Sequence, residues 1–544
     1  VPHPILHQRP DPTNKNNTID NWSIDGRIII DSMLHARREM KPDRESLAFI
    51  TEKLGLTTKG DFDAAKIDEL WADKSKEAKE YCLNDAKCSL EIVLSDKVDS
   101  INKAIALGGA VNLPLDKATD PFQGSIGDSL LVPVADSRGY LVPNYVKGGK
   151  KKIKGAFVYP SKGGLFKNIG SLDFKSLYPS IIIDKNVCFS TFIPPDMIRS
   201  FDGDYVTSPT GASFATGEVG IVPGILKELM AKRVAAKKKV KVDKAGEGDY
   251  YDRLQYALKV AMNGFYGLMA SSFYRFTNRA IGESITAWGR VQTLSLIEKL
   301  EGMKYEIIAS DTDSAYILLP DGEATPTHLE NLATKLSSDG YKVDAEKFFS
   351  TFFTHGAKKR YVGNVVWPEK SIGRYTRGYQ TRRKDAFPFL KTTLEGTFDR
   401  ILSDEPDRAR EFFYERYMQV VNRAVPLEEL VTTKGVKDPK HYVNPASMAS
   451  IKAMRNQVAL GYYWVPGMKV SWIVVPPHGS PQNVVAWVPR NIEAFERREI
   501  TPDWRYYQER IEKSLEDIVD VMGYDLKTIR TGKVPSKQME LGDF

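Results

Sequence analysis

Two aspartates one residue apart, Asp311 and Asp313, stand between the apolar runs 306–309 and 315–319. On a strand both would point the same way, but at a hairpin tip they need not. Acids flanked by apolar runs repel one another and are costly to desolvate, so a cation should compensate them. A divalent metal with a preference for oxygen ligands does this. Taken alone, the Asp-x-Asp pattern fits an exposed turn equally well, because Asp and Ser supply turn chemistry. Asp173 changes the balance. It closes the short apolar run 169–173 and is followed by Phe174, Lys175, Ser176, Leu177, Tyr178, Pro179 and Ser180. If the two strands are sheet neighbours, Asp173 and Asp313 converge on one edge. Two metals shared by such carboxylates support in-line phosphoryl transfer.

A triphosphate also needs cations away from the metals. Arg233 and Lys237 are spaced i, i+4 and share a helix face. Lys259, Asn263 and Tyr266 fall on one stripe of a second helix, together with Gly267, and suit phosphate, then sugar, then base. Lys238, Lys239, Lys241 and Lys244 read more simply as a solvated face. Lys259 has mostly apolar neighbours and is expected to need a partner.

These residues need elements to hold them. The pattern predicts helices over 223–244, 250–270 and 280–301, the first two an antiparallel pair joined by a Gly-containing turn. It predicts a β-hairpin with the carboxylates at its tip. Upstream, 26–34 reads as a buried strand running into a helix. Residues 66–101 read as one helix, with Ile67, Leu70, Trp71, Ala78, Tyr81 and Cys82 on its apolar face. Residues 108–150 read as an irregular connecting module closed by the basic run Lys147, Lys150, Lys151, Lys152 and Lys154. Beyond 375, basic helices alternate with Pro- and Gly-rich loops and end in an aromatic-rich helix at 502–523.

The bulk numbers set the frame. The 544 residues suggest three to five domains. A hydrophobic fraction of 42% with 27% charged residues is that of ordinary folded protein. No run approaches the ~20 apolar residues of a membrane span. Lys and Arg exceed Asp and Glu by 77 to 70, a net +7 that permits a polyanionic partner without demanding one. Cys82, Cys88 and Cys188 form no CxxC pair and suit a reducing compartment.

The ordered set of motifs resembles the family B DNA polymerases. Residues 173–180 are similar to the family's motif A, 259–267 to motif B and 311–314 to motif C. Lys358, Lys359, Arg360 and Tyr361 match the later KKRY element, and Arg382, Arg383, Lys384 and Asp385 resemble a thumb element. The resemblance implies an α+β multidomain fold shaped as a right hand. Its parts would be an antiparallel-sheet palm, helical-pair fingers, a mostly helical thumb and a partial RNase H-like exonuclease remnant. The expected division is exonuclease 1–105, connecting module 106–154, palm 155–222, fingers 223–274, palm again 275–374 and thumb 375–544.

The resemblance also implies template-directed DNA synthesis with two Mg²⁺ ions, for which Mn²⁺ can substitute. Asp173 and Asp313 would bind the metals, with Asp311 in support. Backbone at Leu177 and Tyr178 would touch the triphosphate, and the Tyr178 ring would exclude a 2′-hydroxyl. Arg233, Lys237 and Lys259 would neutralise phosphates, with Lys259 able to protonate pyrophosphate. Asn263, Tyr266 and Gly267 would lie beside the nascent pair. Lys358, Lys359, Arg360, Tyr361, Arg382 and Arg383 would hold primer–template DNA through largely sequence-independent, salt-sensitive contacts.

Two of the motifs depart from the family pattern. Gly264 stands where Ser is usual, and Ala309-Ser310 replace Tyr-Gly before the motif C acids. Both bear on fit near the primer end. Tyr81 and Asp85 resemble the third exonuclease motif, but the first two motifs are absent upstream, and Asp20, Asp25 and Asp31 make no D-x-E. No 3′–5′ exonuclease is expected from this chain alone. Either the amino-terminal half is a separate polypeptide or the chain is shortened. Gln538, Leu541 and Phe544 resemble a sliding-clamp-binding peptide. The implied location is the cytoplasm or nucleoid, a host's cytoplasm for a viral enzyme. A catalytically inactive DNA-binding relative is the rival reading. Reverse transcriptases usually carry adjacent aspartates, which Thr312 separates here.

Overall fold

The computed structural model describes the chain except residues 1–4, 12–13, 25–26, 41, 43–45, 58–75, 146–152, 154, 243–247, 272, 339, 380–385, 404, 463, 465 and 522–544. The chain divides into two compact units, one of residues 1–155 with 176–289, the other of 156–175 with 290–544.

The first unit is mainly helical. A hairpin of Ile5–Asp11 and Asn14–Ser23 precedes α1 (Ser32–Met40), α2 (Leu47–Leu54), α3 (Lys76–Leu94), α4 (Ser100–Val111) and α5 (Gln123–Ser137). After the crossing through the second unit come α6 (Leu177–Asp184), α7 (Ile221–Val242) and α8 (Gly248–Met269). Helix α8 packs along α7 and also against α4, α5 and α6. The boundary between the units falls inside α9 (Arg279–Gly302). All three long helices lie within two residues of their expected limits.

Three upstream expectations need correction. Residues 27–31 form no strand, and Ile28 and Ile29 are exposed. A lone apolar run has no ladder partner there; instead the Asp31 carboxylate accepts from the Leu34 N–H at 3.0 Å and caps α1. Within 76–101, the described part of the expected helix over 66–101, there are two helices, because Ser95 turns back to the Ile92 carbonyl (2.8 Å) and Asp99 adopts a left-handed φ of 49°. Cys82 is exposed, Ala78 is buried, and Ile67, Leu70 and Trp71 lie outside the described residues. The connecting module is not irregular: α5 fills much of it. Its glycines read as breakers, yet Gly127 serves close packing. A Cβ there would stand 2.7 Å from the Tyr274 hydroxyl and against a Leu268 methyl.

The second unit is built on a seven-stranded antiparallel sheet. Its strands are β1 (Val158–Tyr159), β2 (Gly164–Phe174), β3 (Glu306–Asp311), β4 (Ser314–Leu318), β5 (Val343–Thr354), β6 (Tyr361–Trp367) and β7 (Gly373–Arg377). The order across the sheet is β7-β6-β5-β2-β4-β3-β1. One cluster of Ile169, Ile308, Tyr316, Phe349, Phe352, Tyr361 and Val365 fills its core. Beyond it, helices Pro388–Leu402, Pro406–Val421, Ala449–Ala459 and Trp504–Val521 pack around a second core. A three-stranded sheet of Thr432–Gly435, Lys469–Val475 and Asn483–Ala486 joins them, which the pattern of basic helices and loops does not reveal. Among the described residues no helix is long and apolar enough to cross a membrane.

Candidate active site

The hairpin forms as its sequence demands. Asp311 pairs with Ser314 across a two-residue turn in which Thr312 takes a left-handed φ of 68°. Register then brings in Asp173, which lies opposite Ser314 on β4 and Asp344 on β5. The Phe174 N–H donates to the Asp313 carbonyl at 3.0 Å, the Thr312 N–H to the Phe157 carbonyl at 3.2 Å, and Thr293 Oγ1 to the Thr312 carbonyl at 2.9 Å. The turn is thus held from three sides, twice by backbone N–H groups and once by the Thr293 hydroxyl.

The three acids are not equivalent. Asp311 is buried but compensated: Lys359 Nζ lies 2.6 Å and an Arg377 guanidinium nitrogen 3.5 Å from its oxygens, and the Thr312 hydroxyl donates at 3.0 Å. Asp173 and Asp313 have no ion pair among the described residues. Burial first, then the Asp313 charge, then Glu346 push the Asp173 carboxyl well above its ordinary range. Burial likewise raises Asp313, with Asp311 and Glu346 adding, against the opposing pull of its own backbone N–H and Lys359. Without a cation the pair therefore resists carrying its full negative charge.

Among the described residues no group of three or more acidic, His or Cys side chains could hold a metal by itself. A two-carboxylate platform suits Mg²⁺, which is commonly bound through one or two carboxylates plus substrate phosphates rather than in an all-protein cage. The donor chemistry therefore fits the implied ions.

In the first unit, Lys259 and Asn263 are exposed, Tyr266 is half-buried and Gly267 is exposed, so the stripe faces outward as its spacing requires. The apolar neighbours of Lys259 turn inward as Leu258, Ala261, Met262 and Phe265, so Lys259 faces solvent and burial does not force a partner on it. Arg233 is half-buried. Its Nε is shielded with no hydrogen-bond partner among the described residues, and burial lowers its pKa from the usual guanidinium value. An orphaned buried guanidinium nitrogen is suited to an anion. Lys237, Lys238 and Lys239 are exposed, while the side chains of Lys241 and Lys244 lie outside the described residues. Leu177 opens α6 behind Ser176, whose side chain does not cap it. The Tyr178 ring lies 4.5 Å from the Tyr266 ring, centre to centre, and against Gly289.

Lys358, Lys359 and Arg360 are exposed, but Tyr361 is not. It is 2% exposed, its hydroxyl bonds Tyr316 at 3.1 Å and its ring stacks on Phe352. Tyr361 is therefore a core residue and not a duplex-gripping one: it opens β6, whose first three residues are all buried in the sheet. Tyr361→Ala is expected to cost about 3–5 kcal/mol of stability, read by denaturant unfolding, while leaving the salt dependence of any DNA binding unchanged. An altered salt slope in a stable variant would refute this placement. Ala309 is likewise buried in the sheet core rather than presented at a primer end.

Tyr81 and Asp85 share one face of α3 at i, i+4. Arg382, Arg383, Lys384, Asp385, the basic run Lys147, Lys150, Lys151, Lys152 and Lys154, and Gln538, Leu541 and Phe544 lie outside the described residues. Sequence reasoning missed Arg377 and Glu346. Arg377 lies 66 residues from Asp311, and only the β6–β7 register, with Tyr361 opposite Arg377, brings it there.

The site can be set beside known proteins. A family profile described as DNA polymerase family B matches residues 122–522. A DNA polymerase of Archaeoglobus fulgidus is 28% identical over 464 residues, covering 84% of this chain and 57% of that protein. The DNA polymerase delta catalytic subunit of Oryza sativa subsp. japonica is 28% identical, covering 83% of this chain and 43% of that protein. DNA polymerase 1 of Pyrococcus abyssi is 27% identical over 539 residues, 95% of this chain and 67% of that protein. The chain thus spans about half the length of the first two. The solved structure of the family B DNA polymerase from Pyrobaculum calidifontis superposes with a TM-score of 0.66 at 22% identity, covering 93% of this chain and 65% of that one. The antiparallel sheet and surrounding helices are the fold of that group, and the match over residues 122–522 takes in the strands, the acids and the helix pair alike: the chain belongs to DNA polymerase family B.

Proposed function

We propose that this chain performs template-directed DNA synthesis, adding deoxynucleotides to a primer 3′ end with release of pyrophosphate, in replication or repair. The observation that carries the reading is the contrast among the acids: Asp173 and Asp313 are half-buried and form no ion pair among the described residues, while Asp311 beside them is paired twice. Asp173 and Asp313 would hold two Mg²⁺ ions, with Mn²⁺ as a substitute. When bound, such ions supply charge stabilisation and an activated attacking oxygen for in-line phosphoryl transfer. Asp311, Lys359 and Arg377 position the hairpin.

Arg233, Lys237 and Lys259 neutralise the triphosphate, and Lys259 gives its proton to the departing pyrophosphate. Backbone at Leu177 and Tyr178 steadies the phosphates. The Tyr178 ring lies under the sugar, and Asn263, Tyr266 and Gly267 flank the new base pair. Lys358, Lys359 and Arg360, with Arg382 and Arg383, contact the primer–template backbone and lose affinity as salt rises. We keep the division into exonuclease remnant, connecting module, palm, fingers and thumb. Tyr81 and Asp85 alone do not complete a two-metal nuclease, so no proofreading is proposed for this chain. A separate amino-terminal polypeptide and a sliding clamp are proposed partners, and the cytoplasm or nucleoid the location.

The test is extension of a labelled primer on a DNA template. Elongation with deoxynucleotides and Mg²⁺, lost on chelation, is the expected result. Tight primer–template binding with no elongation would overturn it in favour of an inactive DNA-binding subunit.

A further inference from the structure

Gly264 stands where the family resemblance leads one to expect Ser, and the structure gives that departure a neighbour. A Cβ built on Gly264 would overlap Oε1 of Gln123 and lie 3.1 Å from its Cδ. The Gln123 carboxamide therefore occupies the space a side chain at 264 would need. Gln123 is the first residue of α5 and is exposed. Its reach over α8 is no accident of a loose surface. Helix α5 is pressed onto α8 and the segment after it, where a Cβ on Gly127 would meet Leu268 and stand 2.7 Å from the Tyr274 hydroxyl. The place covered is also specific: Gly264 stands about 100° round α8 from Asn263, so Gln123 flanks the outward stripe of Lys259, Asn263 and Tyr266 rather than lying on it.

We infer that Gln123 is a positioning residue for the nascent base pair, taking over from a different helix the polar contact that a side chain at 264 would make. This rests on the polymerase reading. A primary carboxamide carries both donors and an acceptor. All four Watson–Crick pairs present N3 or O2 acceptors in the minor groove, so an amide N–H can engage each of them without preferring a sequence. A mispair moves those acceptors and forfeits the contact. Gly264 and Gln123 form one complementary unit: without the glycine the amide is displaced, and without the amide the glycine leaves a gap.

The experiment is a mutant cycle on the full chain, measuring insertion of correct and mismatched deoxynucleotides opposite one template base. Gln123→Ala should raise KM for the correct nucleotide about 5–10-fold with kcat changed less than about twofold, and lower discrimination by a similar factor. Gly264→Ser alone should do the same, because it pushes the flexible Gln123 end away rather than disturbing the helix. In Gln123→Ala/Gly264→Ser the hydroxyl has room, and KM should return to within about twofold of the parent. Unfolding midpoints should not move, since Gln123 is exposed. Extension by the parent chain with unaltered KM and discrimination in Gln123→Ala would overturn this inference and leave the polymerase reading standing. Effects of the two single changes that simply add in the double variant would overturn it too. No extension by the parent would overturn both.

Discussion

Asp173→Asn and Asp313→Asn are each expected to lower metal-dependent primer extension by about 10³-fold or more, and to stabilise the metal-free protein at neutral pH. The first effect follows from losing a ligand to ions whose transition-state stabilisation is worth several kcal/mol. The second has the opposite sign and the same cause. Both carboxyls are pushed above their ordinary range by burial and by mutual and neighbouring negative charge. A carboxyl whose pKa is raised on folding binds a proton in the folded state that the unfolded state has released. Stability then falls as pH rises from the ordinary carboxylate value through the raised one. Asn keeps the shape and removes the charge, so it should gain about 1–2 kcal/mol at neutral pH. The gain should vanish below about pH 4, where both states are protonated. Asp311→Asn should behave differently and destabilise, because Lys359 and Arg377 would lose their shared partner. Denaturant midpoints of chelated protein across pH read all three. A neutral-pH loss of stability in Asp173→Asn and Asp313→Asn alike would sink the account of an uncompensated pair.

That contrast among acids marks how far the sequence could be read. The hairpin and the outward stripe of α8 follow from local pattern: two apolar runs meeting at carboxylates, and i, i+4, i+7 spacing. The convergence of Asp173 on the tip is expected only if its strand neighbours the hairpin, as the register with β4 makes it. What distinguishes Asp311 from Asp313 does not follow from local pattern. Lys359 arrives from the turn before β6 and Arg377 from the end of β7, and strand register over long loops leaves no local trace. The same holds for Tyr361, whose place after a run of basic residues suggests DNA, whereas its strand packs it into the sheet core. The misread stretches share another cause. Gly127 in α5 breaks the look of a helix because it serves a tertiary contact, and Ile28 and Ile29 look like a strand although no strand among the described residues pairs with them. Composition reports local preference, whereas close approach between helices and the availability of a ladder partner are set by distant residues.

Sugar selection offers the second large effect. Tyr178→Ala should raise ribonucleotide incorporation relative to deoxynucleotide by about 10²-fold, the order by which a shaped pocket rejects one added hydroxyl. The ring can act as a wall because it is braced. On one side Tyr266 meets it at 4.5 Å with a 37° tilt. On the other, α9 presents Gly289, where a Cβ would stand 3.0 Å from Tyr178 Cε1 and 3.8 Å from an Ile181 methyl. The glycine lets the ring settle against the helix backbone, and any side chain there must tilt it. Gly289→Ala should therefore loosen selection in the same direction by a few-fold, although it touches no nucleotide. Tyr178→Phe keeps the wall and should keep the selectivity, since exclusion needs the ring and not its hydroxyl. Single-nucleotide insertion with matched ribo- and deoxynucleotides reads the ratio for each variant. Selection unchanged in Tyr178→Ala would show that some other group stands under the sugar. Selection lost in Tyr178→Phe would show that the hydroxyl, through a hydrogen bond, does the discriminating.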